Sequence, residues 1–202
     1  MNIKNAVLCL SLATLTACGF NRTSDPAQFY TLTIPHVDQV RGPAKPLNLG
    51  IESVSVPQSV DRPQIVVKYA NSNMVNVSEF NRWIEGLNTA LPVAISENIN
   101  AYAKNINARP VRNAAQISNI KYIVTIDFVR FETEIDGNIN ISAWWTVSNN
   151  RGDILVQKKT NLSSDTPVSD SDTPDYDAIV AAQSKLIARL SYKIADVISG
   201  LK

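Results

Sequence analysis

The chain has few residues that can do covalent chemistry: one histidine and two cysteines in 202 residues. The histidine, His36, lies in a loop flanked by prolines. No Gly-x-Ser-x-Gly turn precedes a helical pattern to present an elbow nucleophile, and a solvent-exposed loop histidine explains His36 better than a hydrolytic triad. Zinc lacks its usual ligand set for the same shortage of His and Cys. There is no Gly-x-x-x-x-Gly-Lys or Gly-x-Gly-x-x-Gly loop to cradle phosphates, which removes the common nucleotide sites. Charge of one sign is scarce too, with 19 Lys+Arg against 18 Asp+Glu and a net charge of +1. A surface that wraps nucleic acid carries a strong basic excess, so that class is excluded. No apolar run reaches the roughly 18 residues that span a bilayer.

Two acidic groupings invite a chemical reading and have a plainer one. Glu132, Glu134 and Asp136 alternate near a hairpin tip, where strand geometry projects them to one side. A solvated sheet edge explains them without acid–base catalysis. Asp165, Asp170, Asp172, Asp175 and Asp177 lack the Gly and terminal Glu of a calcium loop. They read as a solvated loop that feeds a helix cap. We therefore expect no catalytic residue and no metal ligand, and a chain that is not an enzyme.

With 45% hydrophobic and 18% charged residues, the chain can fill one substantial core. Its most informative segment is the N-terminus. Met1 to Asn5 holds one cation, Lys4, and the next ten residues, Ala6 to Leu15, are nearly uncharged. That is the n-region and h-region of a secretory signal. Leu15-Thr16-Ala17-Cys18 follows, an aliphatic residue and two small ones before Cys, as in a bacterial lipobox. The small residues let a peptidase reach the backbone, and the Cys18 thiol accepts a diacylglycerol. The amino group freed by cleavage would then take an N-acyl chain, and several chains anchor where one binds only marginally. No other cofactor is expected. Cys9 leaves with the signal, so the mature domain keeps neither a free thiol nor a disulfide. Gly19 in place of Asp after the cysteine favours the outer membrane over the inner. The expected domains are a signal peptide over 1–17, a lipidated tether over 18–28 and a single periplasmic domain over 29–202.

Along the mature chain, Phe29 to Ile34 predicts a strand ended by Pro35. Leu47 to Val56 changes apolar parity between Ile51 and Val54, which predicts a strand with a bulge. Gln64 to Tyr69 predicts a strand that turns at Ala70 to Asn73 and returns through Met74 to Val77. Trp83, Leu87, Ala90, Leu91, Ala94, Ile95, Ile99 and Tyr102 step by three and four, predicting a helix capped by Ser78 and kinked or split at Pro92. Ile120 to Glu132 and Ile139 to Val147 alternate as a hairpin about Asp136-Gly137. That two-residue turn pairs Phe128 with Trp145 and places Val129, Phe131 and Trp144 together on the second face. These three residues form a candidate protein or lipid contact surface, unless another element covers it. Arg151-Gly152 turns into Ile154 to Thr160, and Leu162 to Pro174 reads as a surface loop. A final helix follows, capped by Asp175 or Thr173, with Gln183 the one polar residue in its apolar stripe. The fold class is α/β of the α+β type. It is a single two-layer domain in which a central helix and a long C-terminal helix cover one face of a mostly antiparallel sheet.

The order of several short motifs resembles the PqiC-like auxiliary lipoproteins of ABC-type intermembrane transport systems. They are Phe29-Tyr30-Thr31-Leu32 after Cys18, Val56-Pro57 leading to Asp61-Arg62-Pro63-Gln64-Ile65-Val66, Asn81-Arg82-Trp83 opening a helix, and Tyr176 with Ala181-Ala182-Gln183-Ser184. The similarity spans nearly the whole mature chain, with departures at Gly86 and Pro92. The resemblance implies a non-enzymatic subunit on the inner leaflet of the outer membrane. Its partners would be a periplasmic MCE-domain protein and, through it, an ABC permease and ATPase. The system would move lipid and support envelope integrity. A homo-oligomeric collar around the conduit is an arrangement it allows, and nucleic acid is not a partner. A structural lipoprotein contacting peptidoglycan or an assembly complex, and a periplasmic hydrolase, are the competing readings.

Replacing Cys18 tests the anchor directly. In membrane fractionation the acylated wild type pellets with membranes, whereas Cys18→Ala is expected in the soluble fraction with no acyl adduct in its intact mass. A Cys18→Ala protein that still pelleted would contradict the assignment.

Overall fold

The computed structural model describes residues 26–40, 42–112, 119–135, 137–167 and 173–201. Cys18, Asp136, Asp170 and Asp172 lie outside the described residues. Eight strands and two helices follow in order. These are β1 Gln28–Tyr30, β2 Leu47–Ser55, β3 Gln64–Tyr69, β4 Val75–Trp83, α1 Leu87–Tyr102, β5 Ile106–Pro110, β6 Tyr122–Ile135, β7 Asn138–Asn149, β8 Ile154–Asp165 and α2 Tyr176–Ser199. No helix among the described residues is long and apolar enough to cross a membrane.

The strands form one mixed sheet that branches at β6. One edge of β6 pairs antiparallel with β7, and β7 pairs antiparallel with β8. The other edge pairs parallel with β2 through Tyr122 to Asp127 and then parallel with β3 at Glu134 and Ile135. Strand β2 continues parallel to β5, while β3 continues antiparallel to β4, which pairs parallel with β1. The long ladders are antiparallel, as the hairpin patterns predict. The parallel pairings join segments far apart in sequence and leave no local signature.

One face of the sheet and both helices share a single core. Leu49, Ile51, Val124, Ile126, Phe128, Trp145 and Val147 from the sheet meet Leu91, Ile95 and Ile99 of α1 and Ile179, Leu186, Ile187, Leu190, Ile194 and Ile198 of α2. Burying each such side chain contributes about 1.5–3 kcal/mol. The helices clasp each other through Tyr102 and Tyr192, stacked at 4.3 Å, with the Tyr102 hydroxyl donating to Asp196 at 3.0 Å.

Several expectations need correction. Strand β1 ends at Tyr30, because Thr33 donates its N–H to Ser184 Oγ of α2 at 3.1 Å and Leu32 enters the core. The segment is held by a helix rather than by a sheet neighbour. The first helix starts at Leu87 with Gly86 as its N-cap, not at Ser78. Ser78 sits in β4, where its hydroxyl accepts from the N–H and side-chain amide of Asn81. Asn81-Arg82-Trp83 therefore ends a strand instead of opening a helix. With that start, Pro92 falls in the second turn and removes one hydrogen bond, so α1 runs unbroken across it. Strand β8 extends through Leu162 to Asp165, because Leu162 pairs with Ile141 and is buried. Strand β5, for which Ile106 and Ala108 are the only apolar signal, reads poorly from sequence. It is built on β2 and braced on its other side by Asn100 of α1, whose amide side chain accepts from Ala108 N–H at 2.7 Å and donates to its carbonyl at 2.9 Å.

The parity change in β2 is a bulge. Its pairing with β6 shifts between Ile51 and Ser53, which keeps both Ile51 and Val54 buried. On the opposite sheet face Gly50 lies beneath a small cluster of Val111, Ile120 and Ile123. A Cβ at Gly50 would come within 2.6 Å of Val111 Cγ2 and 2.8 Å of Ile120 Cδ1.

Gly50→Ala is therefore expected to destabilise the fold by about 1–3 kcal/mol through overpacking. Gly86→Ala adds a Cβ that meets nothing within 4 Å and serves as the control. Urea unfolding of the two variants separates the cases, and equal midpoints would contradict the close approach at Gly50.

Candidate contact surfaces

The hairpin of β6 and β7 positions the three residues that sequence patterning groups together. Between Thr133–Ile139 and Phe131–Ile141 the pairing runs regularly, and it then shifts between Phe128 and Arg130. Val129 is the extra residue of that bulge. Next to the turn Thr133 pairs with Ile139 rather than Asn140, and beyond the bulge Ile126 pairs with Trp145 and Phe128 with Ala143, so the register differs throughout from the one a two-residue turn predicts. The bulge also reverses which residues face the core. Phe131 turns inward and is only 4% exposed. It meets Phe128 edge-on at 5.8 Å between ring centroids. Phe131 is thus part of the core and not of the second face. Val129 and Trp144 remain on the second face, 49% and 44% exposed.

The surface around them is more polar than their side chains suggest. Lys159 lies over the Trp144 ring at 5.7 Å, a cation–π contact. Arg130 Nε lies 3.6 Å from Glu132 Oε2. Ser142 donates to Asn161 Oδ1 at 2.6 Å. Val129, Arg130, Asn140, Ser142, Lys159 and Asn161 border an open depression of about 540 Å³. Among the described residues, this face is covered at its far end, where Val111 and Ile120 pack on Ile123.

A larger depression, about 740 Å³, opens between β1, β4 and the N-terminus of α2. Tyr30, Asn76, Ser78, Asn81, Asp175 and Tyr176 line it. Asp175 caps α2 by accepting from Ala178 N–H at 3.0 Å, as the sequence predicts. The Tyr30 and Tyr176 rings lie 6.5 Å apart, and the Tyr30 hydroxyl is 2.9 Å from Asn81 Oδ1. Both phenols are held above the ordinary value of 10.0. For Tyr30 the causes are burial first, then the negative charges of Asp177 and Asp175. For Tyr176 burial outweighs a hydrogen bond with Ser78 that acts the other way. Residue order does not place these side chains together, because the parallel pairing of β1 with β4 is needed to do so.

The remaining polar candidates are dispersed. His36 is exposed in its loop. Glu134 pairs with Lys68 at 3.5 Å, and Glu132 with Arg130. Gln183 is 3% exposed and donates to Thr133 Oγ1 at 3.0 Å, joining α2 to β6.

Comparison with known proteins gives this geometry a family. The sequence matches, over residues 30–195, the family described as ABC-type transport auxiliary lipoprotein component. The chain belongs to that family. Among solved structures, protein XCC0632 from Xanthomonas campestris, described as a DUF330 protein, superposes with a TM-score of 0.65 at 17% identity. The match covers 86% of this chain and 95% of the other. A second, described as an uncharacterized protein, gives 0.62 at 18% identity over 87% of this chain and all of its own. At such identities they share the fold. No curated protein sequence matches the chain. Within the family fold, Tyr176, Gln183 and Ser184 of the resembling motifs reach Tyr30, Thr133 and Thr33, so they fasten α2 to the sheet and to the segment after β1.

The raised phenols set a pH dependence. An unfolded chain ionises its tyrosines near 10.0 while the fold keeps Tyr30 and Tyr176 neutral. Their contribution is complete below that value and is lost as pH rises through the folded values. The thermal midpoint is expected to fall between about pH 9 and pH 11, and Tyr176→Phe to flatten the fall. An unchanged slope in Tyr176→Phe would refute it.

Proposed function

We propose that this chain is a non-enzymatic outer-membrane subunit of an ABC/MCE-type system that moves lipid between membranes. The observation that carries the reading is the family match to ABC-type transport auxiliary lipoproteins across residues 30–195. Cys18 is the acylated anchor, the residues after it set the reach, and the folded domain presents a docking face to a periplasmic MCE-domain protein. Through that protein the subunit is coupled to a permease and an ATPase. The fold suits such work, because a rigid two-layer domain with a solvent-facing sheet side can present a fixed surface without a catalytic cleft. Trp144, Val129 and Lys159 are the side chains we assign to the docking face. An exposed aromatic ring with a cation over it, as Lys159 lies over Trp144, is the kind of anchor that dominates protein interfaces.

Detergent-extracted affinity purification with mass spectrometry of the co-eluting proteins tests this. The wild type is expected to bring down an MCE-domain protein together with permease and ATPase subunits. Trp144→Ala is expected to lose them while keeping the wild-type melting temperature, since the ring lies outside the core. A membrane-anchored wild type that elutes with no transporter subunit would overturn the transport reading and leave a structural envelope lipoprotein.

A further inference from the structure

The sheet face turned away from the helices carries a second exposed apolar surface, at the end where β1 meets β4. Phe29 is 60% and Ile84 68% exposed, and Val75 and Val77 are also open. Strand register gathers them. Phe29 lies beside Arg82, Arg82 beside Gln64, Val77 beside Val66 and Val75 beside Lys68. Ile84 follows β4 directly, its N–H bonded to the Tyr30 carbonyl at 3.0 Å. The alternate residues Ile65, Val67 and Trp83 are buried in the core, and the register shift between Gln64 and Val66 lets Val77 and Arg82, an odd number of positions apart, both face outward.

Arg82 is the polar residue in the middle of this set. Its Nε is buried and has no hydrogen-bond partner. Among the described residues the ion pairs are Lys68–Glu134 and Arg130–Glu132, and no carboxylate reaches Arg82. A half-buried guanidinium without a counter-charge is costly unless something supplies one. A guanidinium also donates to phosphate oxygens, and with Nε enclosed a phosphate would approach Arg82 through its terminal nitrogens. Glu79 and Glu85 are exposed nearby and limit how deep this end could sink into an apolar phase.

The position of this surface in the chain argues for its occupant. β1 is the first described element, and Gln28 is ten residues beyond Cys18. Ten residues reach at most about 35 Å when fully extended, roughly the width of a domain of this size. The β1–β4 end is thus the part of the domain tied closest to an acylated Cys18. We infer that the outer face of β1 and β4 rests on the bilayer beside the anchor, with Phe29 and Ile84 at the headgroup level and Arg82 on lipid phosphate. This deepens the proposed function and rests on its assignment of Cys18 as the anchor. A lipidated chain that adds an interfacial contact gains a second membrane signal and a fixed orientation, which leaves the Trp144 face free for a periplasmic partner.

The test uses the acylated full-length protein in vesicles of phosphatidylethanolamine and phosphatidylglycerol. A single Ile84→Cys carries an environment-sensitive nitrobenzoxadiazole label, with Glu97→Cys on the exposed side of α1 as the control. Flotation with the vesicles reports the anchor by itself. The label at position 84 is expected to emit at shorter wavelength and to be quenched by a headgroup nitroxide lipid. The label at 97 should do neither, and adding Arg82→Gln should reduce the quenching at 84. If the protein floats but the two labels behave alike, the membrane contact is overturned and the anchor stands. If it does not float, the anchor assignment and the inference that rests on it both fall. A blue shift at 84 that grows with protein concentration and ignores the nitroxide assigns the face to a second copy, and also overturns the membrane contact.

Discussion

One strand, β6, is the constraint on which the rest of the molecule depends. It pairs with β7 from Tyr122 to Thr133 while its other edge serves β2 and then β3. A strand that long would, without interruption, carry one set of alternate side chains along one face. The bulge at Val129 breaks that rule once. Before it Tyr122, Val124, Ile126 and Phe128 face the helices, and after it Phe131 and Thr133 do. Phe128 and Phe131 can therefore meet edge-on in one core, and Thr133 can receive the hydrogen bond of Gln183.

The two helices respond to that arrangement. α2 buries a continuous apolar stripe, and three of its polar or aromatic side chains reach the sheet or the N-terminal segment. Ser184 holds Thr33, Gln183 holds Thr133, and Tyr176 approaches Tyr30. Buried polar groups of this kind are favourable only when paired, so they act as registers that fix how the helix lies on the sheet. Asn100 plays a similar part for α1, bracing β5 with both atoms of its amide. Covering one face completely leaves the other for contacts. That face is divided into a region closed by Val111 and Ile120 and regions left open around Trp144 and around Phe29.

Much of this was legible in residue order. The strands β2, β3, β6 and β7 and the helix α2 follow from alternation or from three-and-four spacing, which are local consequences of pleat and helical pitch. The bulge in β2 could be read because two apolar residues, Ile51 and Val54, stand an odd number of positions apart. The bulge in β6 does the same with Phe128 and Phe131, yet the attractive Asp136-Gly137 pair argued for a tight turn and a regular register. Trp83 fits a helical stripe by its spacing from Leu87. Only the pairing of β4 with β1 and β3 shows that it ends a strand.

By itself the sequence determined the one-core α+β composition and the family pattern of Tyr30, Trp83, Tyr176 and Gln183, and it raised the expectation of an N-terminal signal with a lipobox cysteine. These depend on local residue identity and spacing. Tertiary structure alone decided that Phe131 is buried while Val129 is not, that four strand pairings are parallel, and that Arg82 lies beside Phe29 and Gln64 with its Nε buried and unpartnered. Each of those turns on which distant segment lies alongside, and hydrogen bonds between strands do not depend on side-chain identity strongly enough to name their partner in advance.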